Sequence, residues 1–208
     1  METGRKEPQA ARRESLATTG DARAVETRRR LALAFRAAAA DGVPDVSVVQ
    51  ICKRAGIARS TFYTHFATVE DLAASTIAEL FAVASSADVE RRTVQALPRT
   101  EITEIGLRTI VDALWDARDL VRYTTALGSQ AAIQDRLVAE VADLARPTVL
   151  AELPALAEAD LRLTTEFMAA GIVRVTMHWI ADPTVSRDHL VAWMARLLPS
   201  WLAADPTS

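Results

Sequence analysis

A single cysteine, Cys52, is the whole thiol content of the 208-residue chain. That excludes an internal disulfide and every zinc pattern built from several cysteines, and it points to a reducing compartment. Long apolar runs are missing as well. No uncharged apolar stretch reaches the ~18 residues expected of a membrane span. The opening METGRKEPQAARRES has no apolar stretch that would serve as a signal peptide. The expectation is therefore a soluble cytoplasmic protein with no membrane partner. The sequence also lacks a glycine-rich loop to cradle phosphate and a recognisable nucleophile–base pair. His178 and His189 have no Cys, His or carboxylate at metal-ligand spacing. Neither an enzyme nor a metal or cofactor is expected.

What the chain does have is apolar residues, half of the total, enough for a sizeable core in one or two domains. Its formal net charge is −3, but the charge is uneven. Residues 1–66 hold 12 basic and 7 acidic groups, and the remaining 142 residues hold 12 basic and 20 acidic. A front of +5 on a body of −8 suggests that only the front meets a polyanion, although a solvated surface can fluctuate that far by chance.

Residues 1–23 are polar and basic without periodicity and read as a flexible arm. From Ala24 the run AVETRRRLALAFRAAAAD is alanine-rich and free of Gly and Pro, with Leu31, Ala34, Phe35 and Ala38 on one face. It predicts a helix closed by Gly42 and Pro44. Ser47 opens a second, short helix, because Gln50 three residues on completes a capping box. Val48, Ile51 and Ala55 face inward, and Gly56 ends it. IARSTFYTHF makes a third helix, and Thr68 starts a fourth carrying Leu72, Thr76, Leu80 and Ala84 along one side. Further helical stretches lie near 100–118, 120–127, 131–152, 158–181 and 186–202, with a kink or break at Pro147. No convincing strand is found. The fold class is all-α: three N-terminal helices over 24–72, then a helical bundle over 73–208.

Two short helices joined at a glycine form a helix-turn-helix, whose second member enters the DNA major groove. In the third helix Ile57, Thr61 or Phe62, and Phe66 can seal against helices one and two. Arg59, Ser60, Tyr63 and Thr64 are left facing out. Arg59 can fork onto guanine O6/N7 or a phosphate, and Ser60 and Thr64 can reach base edges or phosphates. Tyr63 offers a phosphate hydrogen bond or a thymine-methyl contact, against the plainer reading that it packs on its neighbours. Ser47 and Val48 stand at a helix N-terminus, where amide groups favour phosphate. His65 reads equally as a phosphate ligand or a brace for the turn before helix four. Cys52 reads as a small buried residue.

Helix one, Gly42, Ser47-Val48, Ile51-Cys52, Ala55-Gly56-Ile57, Thr61-Phe62-Tyr63, His65-Phe66, Glu70 and Leu72 together resemble the DNA-binding domain of the tetracycline-repressor (TetR) family, from about Thr27 to Leu72. The resemblance implies an all-helical, homodimeric, ligand-responsive repressor with a double-stranded, palindromic operator as partner. It implies that Ser47, Val48, Val49, Arg59, Ser60, Thr61, Tyr63, Thr64 and His65 approach that operator. Three positions depart from the family pattern. Val69 stands where a phosphate-touching lysine is usual. Ala38 stands where Phe is usual, with Phe35 one turn earlier. Cys52 replaces the alanine of the common Ile-Ala pair. The basic arm, with Arg12, Arg13, Arg23 and Arg28–Arg30, could make up the lost contact at phosphates or a minor groove.

For the body, the resemblance implies that helices 158–181 and 186–202 pair with their copies in a four-helix bundle. Candidate interface residues are Ala170, Gly171, Val175, His178, Trp179, Leu190, Trp193 and Leu197, the alternative being packing within one subunit. A ligand cavity among helices four to eight would be lined by Phe81, Leu107, Val111, Leu114, Trp115, Tyr123, Leu127 and Phe167. Few charges interrupt these stripes, so the expected effector is small and mostly apolar or aromatic. Two other classes stay open: an all-helical enzyme with a DNA-binding-like front, and a structural DNA binder without an effector. The residues that read DNA leave activator and repressor equally open.

Overall fold

The structure, a computed structural model, describes the backbone of residues 7–94, 97–128 and 130–203, and the side chains from Asp21 onward. Its described residues form ten helices and no strand. The chain divides into two compact units, Met1–Val69 and Glu70–Ser208.

The first unit holds α1 (Glu7–Ala40), α2 (Val48–Ala55) and α3 (Arg59–His65). α1 starts at Glu7 rather than at Ala24, so residues 7–23, taken from sequence as a flexible arm, are helical. After Pro8, tolerated in a first turn, this segment has only Gly20 as a breaker, and its many Ala, Arg and Glu are good helix formers. The basic groups of the arm below Asp21 lie outside the described side chains. Further along α1, Leu31, Ala34, Phe35 and Ala38 are all buried, with Phe35 and Ala38 both at 0% exposure. α1 packs on α2 and α2 on α3. From α2 it is Ile51, Cys52 and Ala55 that are buried, while Val48 stays half-exposed. Burial pushes the Cys52 thiol above its ordinary range, which keeps it a neutral, small apolar filler.

The capping box forms as the sequence predicts. Ser47 Oγ accepts from the Gln50 amide, and Gln50 Oε1 accepts from the Ser47 amide at 2.8 Å. At the other end Gly56 adopts φ 62°, ψ 40°, a left-handed conformation that L side chains rarely take.

The second unit is built from α4 (Val69–Val94), α5 (Arg99–Asp116), α6 (Arg118–Thr125), α7 (Gln130–Glu152), α8 (Glu158–Ala181), α9 (Arg187–Leu197) and α10 (Ser200–Ala203). α7 pairs with α8 and α5 with α9, around Ile77, Ile102, Leu114, Leu137, Leu161 and Ile180. α4 is long and apolar enough to cross a membrane by length and composition alone. Half of its most apolar window is buried, and it carries Asp88 and Arg92 in its second half, so it is a core helix of the body.

Two sequence expectations change here. α7 runs without a break through Pro147, where the sequence predicts a kink or break. Pro147 removes the amide that would bond the Asp143 carbonyl one turn back; both residues are exposed, so water can serve that carbonyl. The stretch 186–202 is two helices, not one. Leu198 is extended at φ −73°, ψ 153°, as a residue before proline prefers, and Pro199 separates α9 from α10.

Candidate functional site

The DNA-reading candidate is α3. A helix of seven residues can bury little, and it commits Phe62 (0% exposed), with Phe66 following at its C-cap. Their rings lie 5.9 Å apart. That anchoring leaves Arg59, Ser60, Tyr63 and Thr64 exposed on one side, Tyr63 at 52%. The Tyr63 ring stands edge-on to Phe62 at 5.5 Å and 87°, so the buried ring orients the exposed one. Thr64 Oγ1 donates back to the Ser60 carbonyl at 3.1 Å, which leaves the hydroxyl able to accept. Thr61 and His65 are half-buried, and the His65 ring lies 6.5 Å from Phe66. In α2, Val49 is exposed, and the Ser47 hydroxyl is engaged with Gln50 Oε1 at 2.9 Å.

Arg30 is a residue that sequence reasoning left among undivided basic groups. Its guanidinium donates to the carbonyls of Ala55 and Gly56, tying α1 to the turn that launches α3. A Cβ on Gly56 would stand 2.9 Å from Arg30 Nη2, so the glycine also makes room for this tie. Arg29 instead pairs with Glu26 at 2.7 Å, and that hydrogen bond holds the Glu26 carboxyl below its usual range. Of Arg28–Arg30, two therefore have internal partners. Arg54 bridges to Asp41 at 2.7 Å and fixes α2 to the end of α1.

The body holds an apolar cavity of about 100 Å³. Of the residues expected to line it, Phe81 and Leu107 do. Val111, Leu114 and Leu127 are buried in packing outside it, and the Trp115 ring packs tilted against Trp179 at 5.1 Å. Tyr123 is half-buried away from it. Phe167 is 78% exposed and lines nothing. Much of the remaining wall comes from Val141, Leu144, Met168, Ile172, Leu198 and Leu202, with Ser85 and Thr148 among them and Asp88, Arg92 and Thr103 at a polar end. This polar end went unforeseen; the i,i+4 spacing of Asp88 and Arg92 in an apolar helix was its signal.

α8 and α9 present an uncovered apolar face. Leu163 is 61% exposed, Phe167 78%, Trp193 51% and Leu197 67%. Ala170, Gly171, Val175 and His178 are exposed on the same helix as Leu163 and Phe167, at a spacing of three, four and seven. Nothing lies within 4 Å of a Cβ built on Gly171. Trp179 and Leu190, expected at an interface, are each 6% exposed and belong to the body's own core. The Trp179 indole donates to the Val185 carbonyl at 2.8 Å. Trp193 is stacked with His189 at 9° and covered by Arg196 at 4.9 Å, which holds the indole in place.

Residues 31–76 match the family model of bacterial regulatory proteins, tetR family. None of the curated proteins is similar enough in sequence to match. Among solved structures, the chain resembles FadR of Thermus thermophilus, a TetR-family transcriptional repressor in complex with lauroyl-CoA, at TM-score 0.57 and 18% identity, over 86% of this chain and 97% of that one. It resembles RolR in complex with resorcinol at TM-score 0.55 and 22% identity, over 85% and 89%. A third likeness is FadR of Bacillus halodurans, a fatty acid degradation regulator, at TM-score 0.50 and 18% identity, over 81% and 96%. At these identities the structural likenesses establish the shared fold.

Proposed function

From the tetR-family match of its N-terminal helices we propose that the chain is a DNA-binding regulator of that family, a repressor that a small molecule releases from a palindromic operator. The observation that carries this is α3: Phe62 and Phe66 are buried, and Arg59, Ser60, Tyr63 and Thr64 share the exposed side. Those are base-edge and phosphate ligands on a helix of the length and setting that a major groove admits. Val49 and the half-buried Val48, Thr61 and His65 complete the surface, and Ser47 acts through its cap. The DNA-binding domain spans residues 24–72 and the regulatory body 73–208, and the protein works in the cytoplasm.

The protein acts as a homodimer, because a groove-reading helix gains from a second half-site ~34–36 Å away. The uncovered face of Leu163, Phe167, Gly171, Trp193 and Leu197 is where the second copy docks. The effector, mostly apolar or aromatic, enters the body cavity. FadR of Thermus thermophilus and RolR hold lauroyl-CoA, with its apolar acyl chain, and the aromatic resorcinol in the same fold, which supports an effector with an apolar or aromatic part. At about 100 Å³ the cavity is smaller than the ~300–1,000 Å³ of preformed sites, so the ligand parts the helices around it. α4 supplies Phe81, Ala84, Asp88 and Arg92 to the wall, and its first residue continues the chain from the DNA-reading helices. A shift of α4 then changes operator affinity, for which ~1–3 kcal/mol of coupling suffices.

The test is a titration of the purified protein onto labelled DNA from beside its own gene, against unrelated competitor DNA and at several salt concentrations. Tight binding that survives competitor is the expected result. Binding equal to that of random DNA, both here and after selection from a random-sequence pool, sinks the regulator reading in favour of a structural DNA binder.

A further inference from the structure

The body cavity ends on a buried polar cluster whose bonding capacity can be counted. Arg92 donates through Nε to Asp88 Oδ2 at 2.7 Å. Through Nη1 it donates to Glu152 Oε1 at 2.9 Å and to the Leu202 carbonyl at 3.0 Å. Through Nη2 it donates to Thr103 Oγ1 at 2.8 Å and to Asp88 Oδ1 at 3.4 Å. A guanidinium has five N–H donors, and each has an acceptor here. Thr103 gives its own proton to the Leu202 carbonyl at 2.9 Å. The second oxygen of Glu152 accepts from Arg99 Nε at 2.7 Å. Asp88 and Glu152 thus balance Arg92 and Arg99 in charge.

What remains is acceptor capacity. Asp88, 7% exposed, lines the cavity, and its Oδ1 carries only the long bond. Gly106 on α5 stands opposite; a Cβ there would come 3.2 Å from this oxygen. Glycine inside a helix is unfavourable, and at this position it keeps a side-chain carbon off the carboxylate oxygen. The walls beyond it are mostly apolar, from Phe81, Leu107, Val141, Met168 and Ile172, with the hydroxyl residues Ser85 and Thr148 among them.

We propose that the effector is an apolar molecule carrying one neutral hydrogen-bond donor, a hydroxyl on an aliphatic or aromatic skeleton, seated with that donor on Asp88 Oδ1. This rests on the reading of the cavity as the effector site. A carboxylate or phosphate at this end of the cavity faces the Asp88 carboxylate, and burying such an anion beside a like charge is expensive. An ammonium adds a net charge to a cluster already balanced. A hydroxyl donating to Asp88 Oδ1 incurs neither penalty.

Three probes of one shape, benzyl alcohol, ethylbenzene and phenylacetate, separate these cases by calorimetric titration of the full chain. Benzyl alcohol is expected to bind about tenfold tighter than ethylbenzene, as a hydrogen bond to a charged acceptor implies, with phenylacetate weakest. Gly106→Ala, which covers Oδ1, removes the alcohol's advantage and leaves ethylbenzene unchanged. Leu107→Trp, which fills the cavity, weakens every probe that binds. Phenylacetate equal to or tighter than the alcohol, or an alcohol advantage that survives Gly106→Ala, overturns the donor rule while the cavity reading stands. Failure of all three probes to bind, or affinities indifferent to Leu107→Trp, overturns the cavity reading and the proposal with it. The ranking on the unaltered protein decides the donor rule even where Gly106→Ala fails to fold.

Discussion

Arg59 and Tyr63 sit one turn apart on the exposed side of α3, beside Ser60 and Thr64. Phe62 between them is fully buried, so the two exposed side chains can be changed without disturbing the core that holds α3. Arg59→Ala removes a fork for guanine or phosphate, a contact of ~1–3 kcal/mol, and is expected to weaken operator binding about tenfold to a hundredfold. Tyr63→Phe removes one hydroxyl and is expected to weaken it by several-fold, as a single hydrogen bond of ~0.5–1.5 kcal/mol implies. Both are read by fluorescence anisotropy beside circular dichroism. Unchanged binding by both variants, at unchanged helicity, takes these residues out of the interface. At the same scale, Arg30 shows why a basic residue near a DNA-reading helix is not by itself a DNA contact. Its guanidinium is spent on the carbonyls of Ala55 and Gly56.

Helix boundaries follow from local chemistry wherever that chemistry is specific. The α2–α3 pair was legible because Ser47 and Gln50 form a box and Gly56 takes the left-handed conformation, and both signals are fixed by one or two residues. The start of α1 was not. A basic, aperiodic stretch reads as an arm, yet nothing in it stops a helix already running through Ala24–Ala40, and propagation needs no apolar face. Pro147 is the opposite case, a strong breaker signal that the element overrides. α7 is tied to the body by packing against α8, and its buried Leu137, Val141 and Val149 lie on both sides of the proline. A lost backbone bond on the exposed side is therefore tolerated. Pro147→Ala is then expected to stabilise the protein, by up to ~3 kcal/mol from intrinsic helix propensity, read as a higher urea midpoint. A lower midpoint would mean that the body requires the backbone geometry proline imposes, and that α7 is not held by its neighbours alone.

At the scale of the whole molecule the sequence pattern was ambiguous in one particular way. α8 carries apolar residues all round, so periodicity could not say which face meets the body and which faces outward. The structure divides them: Trp179 and Ile180 are in the core, and Leu163, Phe167 and Gly171 are on the open side with Trp193 and Leu197 of α9. Phe167, assigned from sequence to the ligand wall, lies on that open side because it follows Leu163 by four residues, one helical turn. The buried Arg92 cluster left a visible i,i+4 spacing, but such a charge pair usually lies on a solvated face, so the spacing alone did not place it in the core. The open face supplies the final prediction. An exposed apolar stripe of this kind on an isolated subunit marks a protein interface, and the proposed occupant is a second copy with the same stripe. Phe167→Glu and Trp193→Glu each place a charge in a surface that two copies would press together, where two like charges meet across a two-fold axis. Both variants are expected to sediment as monomers with native helicity. They are expected to lose about a hundredfold or more in operator affinity, because each half-site must then bind without its linked partner. The body cavity is lined by neither residue, so effector binding to the monomeric variants is expected to persist. Dimers that survive both substitutions place the interface elsewhere. Monomers that still bind a full operator as tightly as the native protein break the link between dimerisation and recognition.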